Sequence, residues 1–420
     1  MKPKLMTVLP GYSRADLSRD TLAGVTVAMV ALPLSLAIAI ASGADPGAGL
    51  VTAIIGGFLV SLLGGSRVQI GGPTGAFIVV VYGTIIAHGY DGLVIATLMA
   101  GVLLLIAGVL KAGKLIELVP EPVINGFTIG IAVIIAASQL KDLLGLTMAE
   151  VPADFLPKIE ALWAARDTFN GAALATGLGT MVLIVLLRRA APRFPGLVVA
   201  VGLGSAVVAL LALPVDTIQS RFGALPATLP TPALPELSLA RMQELLPSAV
   251  VIAFLAGVES LLSAMVADRM IEGKHRPNAE MLAQGAANIG SSLFGGLPVT
   301  GAIARTATNV RAGGRTPVAG LVHATTILVV MLVAAPLAGK LAMPALAGLL
   351  ILTAWNMSEP HKWRGYMAGR RSDVVLLGLT LVLTVLADLT VAIAVGVALG
   401  LALRLARRDA PPADWTPRDK

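Results

Sequence analysis

The chain has 420 residues, 56% of them hydrophobic and 13% charged, with a mean hydropathy of +0.86. Soluble domains carry about 25% charged residues, so this composition excludes that class and marks an integral membrane protein. The formal net charge of +7 would suggest nucleic acid for a soluble domain, but in a membrane chain basic loops set orientation, so no nucleic-acid partner is expected. There are no cysteines, which excludes disulfides and thiolate metal sites.

Residues 1–20, with Lys2, Lys4, Arg14 and Arg19, are polar and basic and lack a cleavable signal pattern, so they are expected to form a cytoplasmic N-terminal segment. A helix crosses a bilayer with about 20 apolar residues, or fewer where it is broken inside protein. On that rule the first half, 21–213, holds spans near 21–42, 48–63, 70–87, 92–110, 123–140, 168–187 and 196–213. An external connection follows over 214–246, rich in proline (Pro214, Pro226, Pro230, Pro232 and Pro235), as in an extended linker. The second half, 247–408, holds spans near 247–267, 279–294, 299–310, 316–336, 340–357, 372–387 and 389–407. Residues 409–420 are expected to be a cytoplasmic tail.

The halves are related. Thr-Gly-Ala occurs at Thr74–Ala76 and at Thr300–Ala302, and Ala-Gly-Lys-Leu at Ala112–Leu115 and at Ala338–Leu341, both pairs offset by 226 positions and in the same order. An odd number of spans per half turns the second half upside down, which predicts an inverted repeat. With the N-terminus inside, the basic residues expected outside are Lys141, Lys158, Arg166, Arg221, Arg241 and Lys340, whereas nearly all the rest of the 31 fall on inside segments. That bias supports an all-α polytopic protein with fourteen spans and both termini cytoplasmic.

In both halves the third span is short and interrupted by Gly and Pro, which points to a transporter binding site. Residues 66–72 and 295–299 are expected to run extended to mid-membrane, and half-helices to start at Thr74 and at Thr300. Each such N-terminus leaves about four backbone N–H groups unpaired and carries roughly half a positive charge. Two of them facing each other would make an anion pocket. Arg305 lies one turn beyond Thr300, where a cation costs about 2.5–3.5 kcal/mol unless offset by an anion; the alternatives are that it reaches the cytoplasmic interface or pairs with a structural carboxylate. Close helix packing is the plain reading of the glycines, but it leaves unexplained why both third spans are broken.

Glu259 sits near the middle of span eight, with Ser263 one turn on along the same face. A desolvated carboxylate shifts toward its acid form and a nearby cation favours ionisation, so such a group can bind and release a proton. H+ coupling, a share in holding Na+, and a structural pair with Arg305 all stay open. His88, His275, His323 and His361 show no metal-ligand spacing, and no HExxH, GxSxG or P-loop pattern occurs. No metal, cofactor, catalytic residue or enzyme activity is therefore expected.

Several stretches resemble the SulP anion transporters, which are related to animal solute carrier family 26. They are Ala31–Ala39, Gly71–Ala76, Asn125–Gly130, Gly257–Ser263, Asn288–Gly296 and Asn309–Pro317. The resemblance covers nearly the whole chain through residue 408. It implies a seven-plus-seven inverted repeat in which a core (spans one to four and eight to eleven) moves against a gate (spans five to seven and twelve to fourteen), often as a homodimer. It also implies a substrate site between spans three and ten, lined by spans one and eight. Carried onto this sequence, the anion site takes Pro73, Thr74, Gly75, Ala76 and Phe77 from span three, Thr300, Gly301 and Ala302 from span ten, and Pro33 and Ser35 from span one. Arg305 would supply positive potential and Glu259, with Ser263, the cation-coupling position. Many sulfate-carrying members have Gln after the span-one proline, where this chain has Leu34, which weighs against sulfate. The family usually continues into a cytoplasmic STAS domain, whereas only 409–420 follow the last span in this sequence, as expected either of a transport-domain piece or of a naturally short member.

The expected function is secondary transport of a small anion (a dicarboxylate such as fumarate, bicarbonate or sulfate) across a bacterial cytoplasmic membrane, coupled to H+ or alternatively to Na+. An uncoupled exchanger or channel on the same scaffold is the second reading. A nucleobase transporter would want a carboxylate in span ten, where Arg305 stands instead, and an intramembrane enzyme lacks any nucleophile–base pair.

Overall fold

The computed structural model describes residues 2–114, 120–148, 151–191, 195–387 and 389–406; the expected tail, 409–420, lies outside them. The helices follow the hydropathy. In chain order they are α1 (Arg14–Ala41), α2 (Pro46–Leu63), α3 (75–88) and α4 (90–109), divided at Gly89, α5 (Glu121–Leu144), α6 (Gly171–Ala190) and α7 (Gly196–Leu210). The second half gives α8 (Leu239–Ile271), α9 (Pro277–Leu293), α10 (Ile303–Arg311), α11 (Val318–Gly339), α12 (Met343–Met357), α13 (Arg371–Leu386) and α14 (Leu389–Ala406). Among the described residues, 7 helices are long and apolar enough to cross a membrane, counting 75–109 as one.

Two helices start well before the sequence reading places them, and capping explains both. α1 begins at Arg14 because Ser13 and Asp16 form a reciprocal capping box: Asp16 N donates to Ser13 Oγ at 3.1 Å, and Ser13 N to Asp16 Oδ2 at 3.2 Å. α8 begins at Leu239, inside the expected 214–246 connection, because Ser238 caps it through Arg241 N and Pro247 is carried within the helix. The proline-rich connection thus gives way to helix one turn or more before Pro247.

Packing divides the helices into two groups. In the first, α9 lies along α3 and α4, α8 also packs on them, α11 packs on α1 and α2, and α10 sits between α8 and α1. In the second, α5 packs on α12 and α13, α12 on α6, and α13 on α14. Small residues allow the tightest approaches: a Cβ on Gly101 of α4 would lie 2.8 Å from the carbonyl oxygen of Gly285 on α9, and a Cβ on Gly285 the same distance from that of Gly101. Close packing and broken helices are both present, at different glycines.

Candidate functional site

The extended segments before α3 and α10 meet each other. Gly71–Gly72 and Thr300–Gly301 form a two-stranded antiparallel pair, Gly71 opposite Gly301 and Gly72 opposite Thr300. Thr300 is therefore extended, and the second half-helix starts at Ile303 rather than at Thr300 as the sequence suggested. The reason is hydrogen bonding: Thr300 and Gly301 satisfy backbone groups across the pair, which a helical conformation would not allow. The first half-helix starts where expected, with Thr74 extended (φ −127°, ψ 158°) and a tight turn over Gly75–Phe77 leading into α3.

An extended backbone inside a membrane protein must find partners for every polar group, and buried side chains supply them. Glu280 of α9, fully buried, accepts from Gly65 N at 2.8 Å and Ser66 N at 3.2 Å through Oε2. Its Oε1 accepts from Ser260 Oγ and Gln284 Nε2, each at 3.1 Å. Gln69 Nε2 donates to the carbonyl of Ser260 at 3.1 Å and to its hydroxyl at 2.9 Å. Asn309 Nδ2 donates to Val68 O at 2.8 Å, Thr306 Oγ1 accepts from Ile70 N at 3.1 Å, and Ala302 N donates to Ile70 O at 2.9 Å. On the other segment Asn288 bonds both backbone groups of Val299, each at 2.9 Å. Leu297 N donates to Thr52 Oγ1 at 2.7 Å, at a widened π turn of α2 over Thr52–Gly56.

Neither half-helix start is capped by a side chain of its own: Thr74 and Ala302 precede the first turns without side-chain caps. Phe77 N donates to Thr74 O at 3.2 Å, whereas the N–H groups of Gly75 and Ala76, and those of Ile303 to Arg305 at the other start, precede the first intrahelical bonds. Thr74 instead turns its hydroxyl to α8, where Oγ1 donates to Glu259 Oε2 at 2.8 Å. Beside this bond lies a cavity of about 100 Å³, lined by Ala76, Glu259 and Ile303 from the first helix group and by Phe127, Met357 and Thr380 from the second. Gly75 faces the same way, since a Cβ there would lie 3.9 Å from the sulfur of Met357, a lining residue.

The expected site residues do not all converge. Ala76 and Glu259 line the cavity, with Thr74 bonded to Glu259 and Gly75 beside it. Pro73, Thr300, Gly301 and Ala302 form the buried backbone frame, and Thr300 Oγ1 donates to Ala256 O at 3.0 Å. Phe77 packs into the apolar cluster with α4 and α8, and Pro33 is buried within α1. Ser263 does not join Glu259; its hydroxyl donates to Thr306 Oγ1 at 3.2 Å. Arg305 is 1% exposed and does not line the cavity. Its Nη2 donates to Ser35 Oγ at 3.3 Å, and its Nη1 lies against Gly72, where a Cβ would come within 2.4 Å. Among the described residues no ion pair joins it to Glu259 within 4 Å. The positive charge therefore sits against the strand pair, with its Nε and Nη1 buried and making no hydrogen bond among the described residues.

Sequence reasoning missed Glu280, Gln69, Asn288 and Thr306, and the lining from Phe127, Met357 and Thr380. A signal for the first group exists: Glu280, Gln284, Asn288 and Ser291 fall on one face of α9 at helical spacing inside an otherwise apolar span.

This arrangement has relatives. The Sulfate permease family model matches residues 17–380. YvdB of Bacillus subtilis (strain 168), named as a sulfate transporter, is 44% identical over 381 residues, 90% of this chain and 72% of that protein. The bicarbonate transporter BicA of Picosynechococcus sp. is 33% identical over 386 residues, 88% of this chain and 67% of that one. Among solved structures, the transmembrane domain of a cyanobacterial BicA matches with a TM-score of 0.82 at 32% identity, covering 91% of this chain and 98% of that chain. The murine Slc26a9 anion transporter in its inward-facing state matches with a TM-score of 0.86 at 19% identity, covering 96% and 71%, a likeness of fold alone. These relatives carry the names of transporters, not of enzymes, and the chain belongs to the sulfate permease family.

Proposed function

We propose that this chain is a secondary transporter that moves a small anion across a bacterial cytoplasmic membrane by alternating access, coupled to H+ through Glu259. The observation that carries this reading is the strand pair Gly71–Gly72 with Thr300–Gly301. It holds two uncapped helix starts together beside a cavity lined from both helix groups. Helix N-termini attract anions through free N–H groups and the helix dipole, and Arg305 behind the strands adds positive potential. Glu259 at the same cavity supplies a group whose charge can change with its surroundings. The antiparallel pairing also fits a seven-plus-seven inverted repeat of fourteen spans, with α1–α4 and α8–α11 as core and α5–α7 and α12–α14 as gate.

The relatives' names favour sulfate or bicarbonate as cargo, and a cavity of about 100 Å³ suits a compact anion better than a dicarboxylate such as fumarate. The second reading, an uncoupled exchanger on the same scaffold, is favoured by the apolar lining around Glu259, which would keep that carboxylate a fixed element. Uptake of radiolabelled bicarbonate, sulfate and fumarate into proteoliposomes, with an imposed pH gradient, an imposed Na+ gradient or neither, separates these readings. Accumulation driven by the pH gradient and abolished in Glu259→Gln supports H+ coupling. Accumulation driven by Na+ alone replaces the coupling ion, and equal flux without any gradient, unchanged in Glu259→Gln, favours the exchanger.

A further inference from the structure

A second and larger cavity, about 980 Å³, lies between the two helix groups on the face that carries residues 40–43, 82–88 and 141–158. Its lining includes Ile78 and Thr384. Thr380, one helical turn from Thr384, and Ala76, two residues before Ile78, line the smaller cavity at Glu259. The two cavities are thus lined by neighbouring turns of the same helices, a placement that suits the large one to be an antechamber of the site.

Part of its charged lining is paired, while Lys141 and Asp154 also line it and form no ion pair within 4 Å among the described residues. Arg221 is bonded to Asp142 at 2.6 Å and to Asp216 at 2.9 Å, and His88 to Glu244 at 2.8 Å. Lys158 differs. It lies on a short helix, Phe155–Ala164, in the connection between α5 and α6, lines the cavity and is 3% exposed. Its ammonium sits 5.6 Å from the centroid of the Tyr82 ring on α3. Among the described residues no carboxylate comes within 4 Å of it. Asp154, one turn earlier, acts on it only at a distance, and burial holds the ammonium below the usual lysine range. The Tyr82 hydroxyl donates to Val151 O, so the same tyrosine fastens this connection to α3. A buried ammonium resting on a ring face keeps N–H donors free, and a cation inside a cleft with low-dielectric walls concentrates anions there.

Building on the transporter reading, we infer that Lys158, seated on Tyr82, is a capture station for the transported anion, holding it in the antechamber before it passes along α3 to the cavity at Glu259. The ammonium binds by charge and hydrogen bonding, so it accepts compact inorganic oxyanions, bicarbonate and sulfate alike.

The test has two arms. In proteoliposomes, Lys158→Met keeps the apolar stem and removes the charge; the half-saturating anion concentration is expected to rise about 5-fold with the maximal rate held within about twofold, and Lys158→Arg to restore the parental value. An unchanged half-saturation in Lys158→Met, the same rise in Lys158→Arg, or a fall in maximal rate alone would overturn the assignment and leave Lys158 a packing residue. The second arm needs no variant: the unmodified protein in detergent is treated with trinitrobenzenesulfonate, with modification of each lysine followed by mass spectrometry. Bicarbonate or sulfate is expected to protect Lys158 relative to Lys340, and equal modification with and without anion overturns the inference. If the parent transports none of the anions the transporter reading fails, while the protection arm still decides whether Lys158 binds them.

Discussion

Replacing Thr74 by Val removes a hydroxyl while nearly preserving shape, so its effect isolates the bond to Glu259. The donor lies 2.8 Å from Glu259 Oε2 and spans 185 positions of sequence, joining the first turn of α3 to the middle of α8. A hydrogen bond to a charged group contributes about 1.5–3 kcal/mol, equivalent to about 10–150-fold in an equilibrium. Since this bond orients the turn whose N–H groups would receive the anion, Thr74→Val is expected to weaken anion binding by that factor. The measurement is a double-mutant cycle with Glu259→Met, run on calorimetric titration of bicarbonate and sulfate into purified protein, which does not depend on coupled transport. The doubly substituted protein should bind no worse than Glu259→Met alone, because the bond can be lost only once. Losses that multiply, or a Thr74→Val protein within about twofold of the parent, would refute the reasoning.

Three further expectations follow from the buried frame and the N-terminus. Gly301→Ala is expected to lower the thermal midpoint and abolish uptake, because its Cβ would lie 1.5 Å from Gln69 Nε2; the midpoint should partly recover when Gln69→Ala is added. Glu280→Ala leaves the N–H groups of Gly65 and Ser66, the Ser260 hydroxyl and the Gln284 amide without their acceptor, and at about 1–3 kcal/mol per unmet buried group the thermal midpoint in detergent should drop sharply, an outcome refuted by a parental melting curve. Tyr12 donates to Asp20 Oδ2 at 3.0 Å, and burial together with that bond pushes its hydroxyl up to about 12. The folded state therefore prefers the protonated phenol, so its contribution is complete below pH 10 and is lost as the pH rises through about 12. Thermal melts of parent and Tyr12→Phe should show an alkaline step in the parent alone.

Hydropathy made the helices legible because lipid-depth segments must be apolar and helical, and the two Gly/Pro interruptions marked where that rule is broken. What replaces helix at those interruptions was not legible. A pair of Gly-Gly and Thr-Gly segments has no strand signature in sequence; its register is fixed by Gln69, Glu280, Asn288, Thr306 and Asn309, which act only once the halves are folded together. The same dependence hid the three-residue delay of α10, since Thr300 reads as a good helix start until Gly72 is placed opposite it. The lining from Phe127, Met357 and Thr380 was hidden for a different reason. Their side chains belong to ordinary apolar or small-polar positions on three separate helices, and only packing gives them a common face.

The position of Arg305 follows from this frame. A guanidinium directed into the cavity would bind an anion at short range, but it would also have to release it at each cycle, and a bidentate contact inside low dielectric is slow to break. Held against Gly72, with one bond to Ser35, the charge would, on the proposed reading, raise the potential at both helix starts from outside the cavity. The glycine is what permits this: at φ 151° and with Arg305 Nη1 only 2.4 Å from where a Cβ would stand, position 72 has no space for a side chain. On the proposed transporter reading, binding strong enough to select an anion and weak enough to let it leave would thereby be divided between N–H groups at the helix starts and a buried charge held off the cargo.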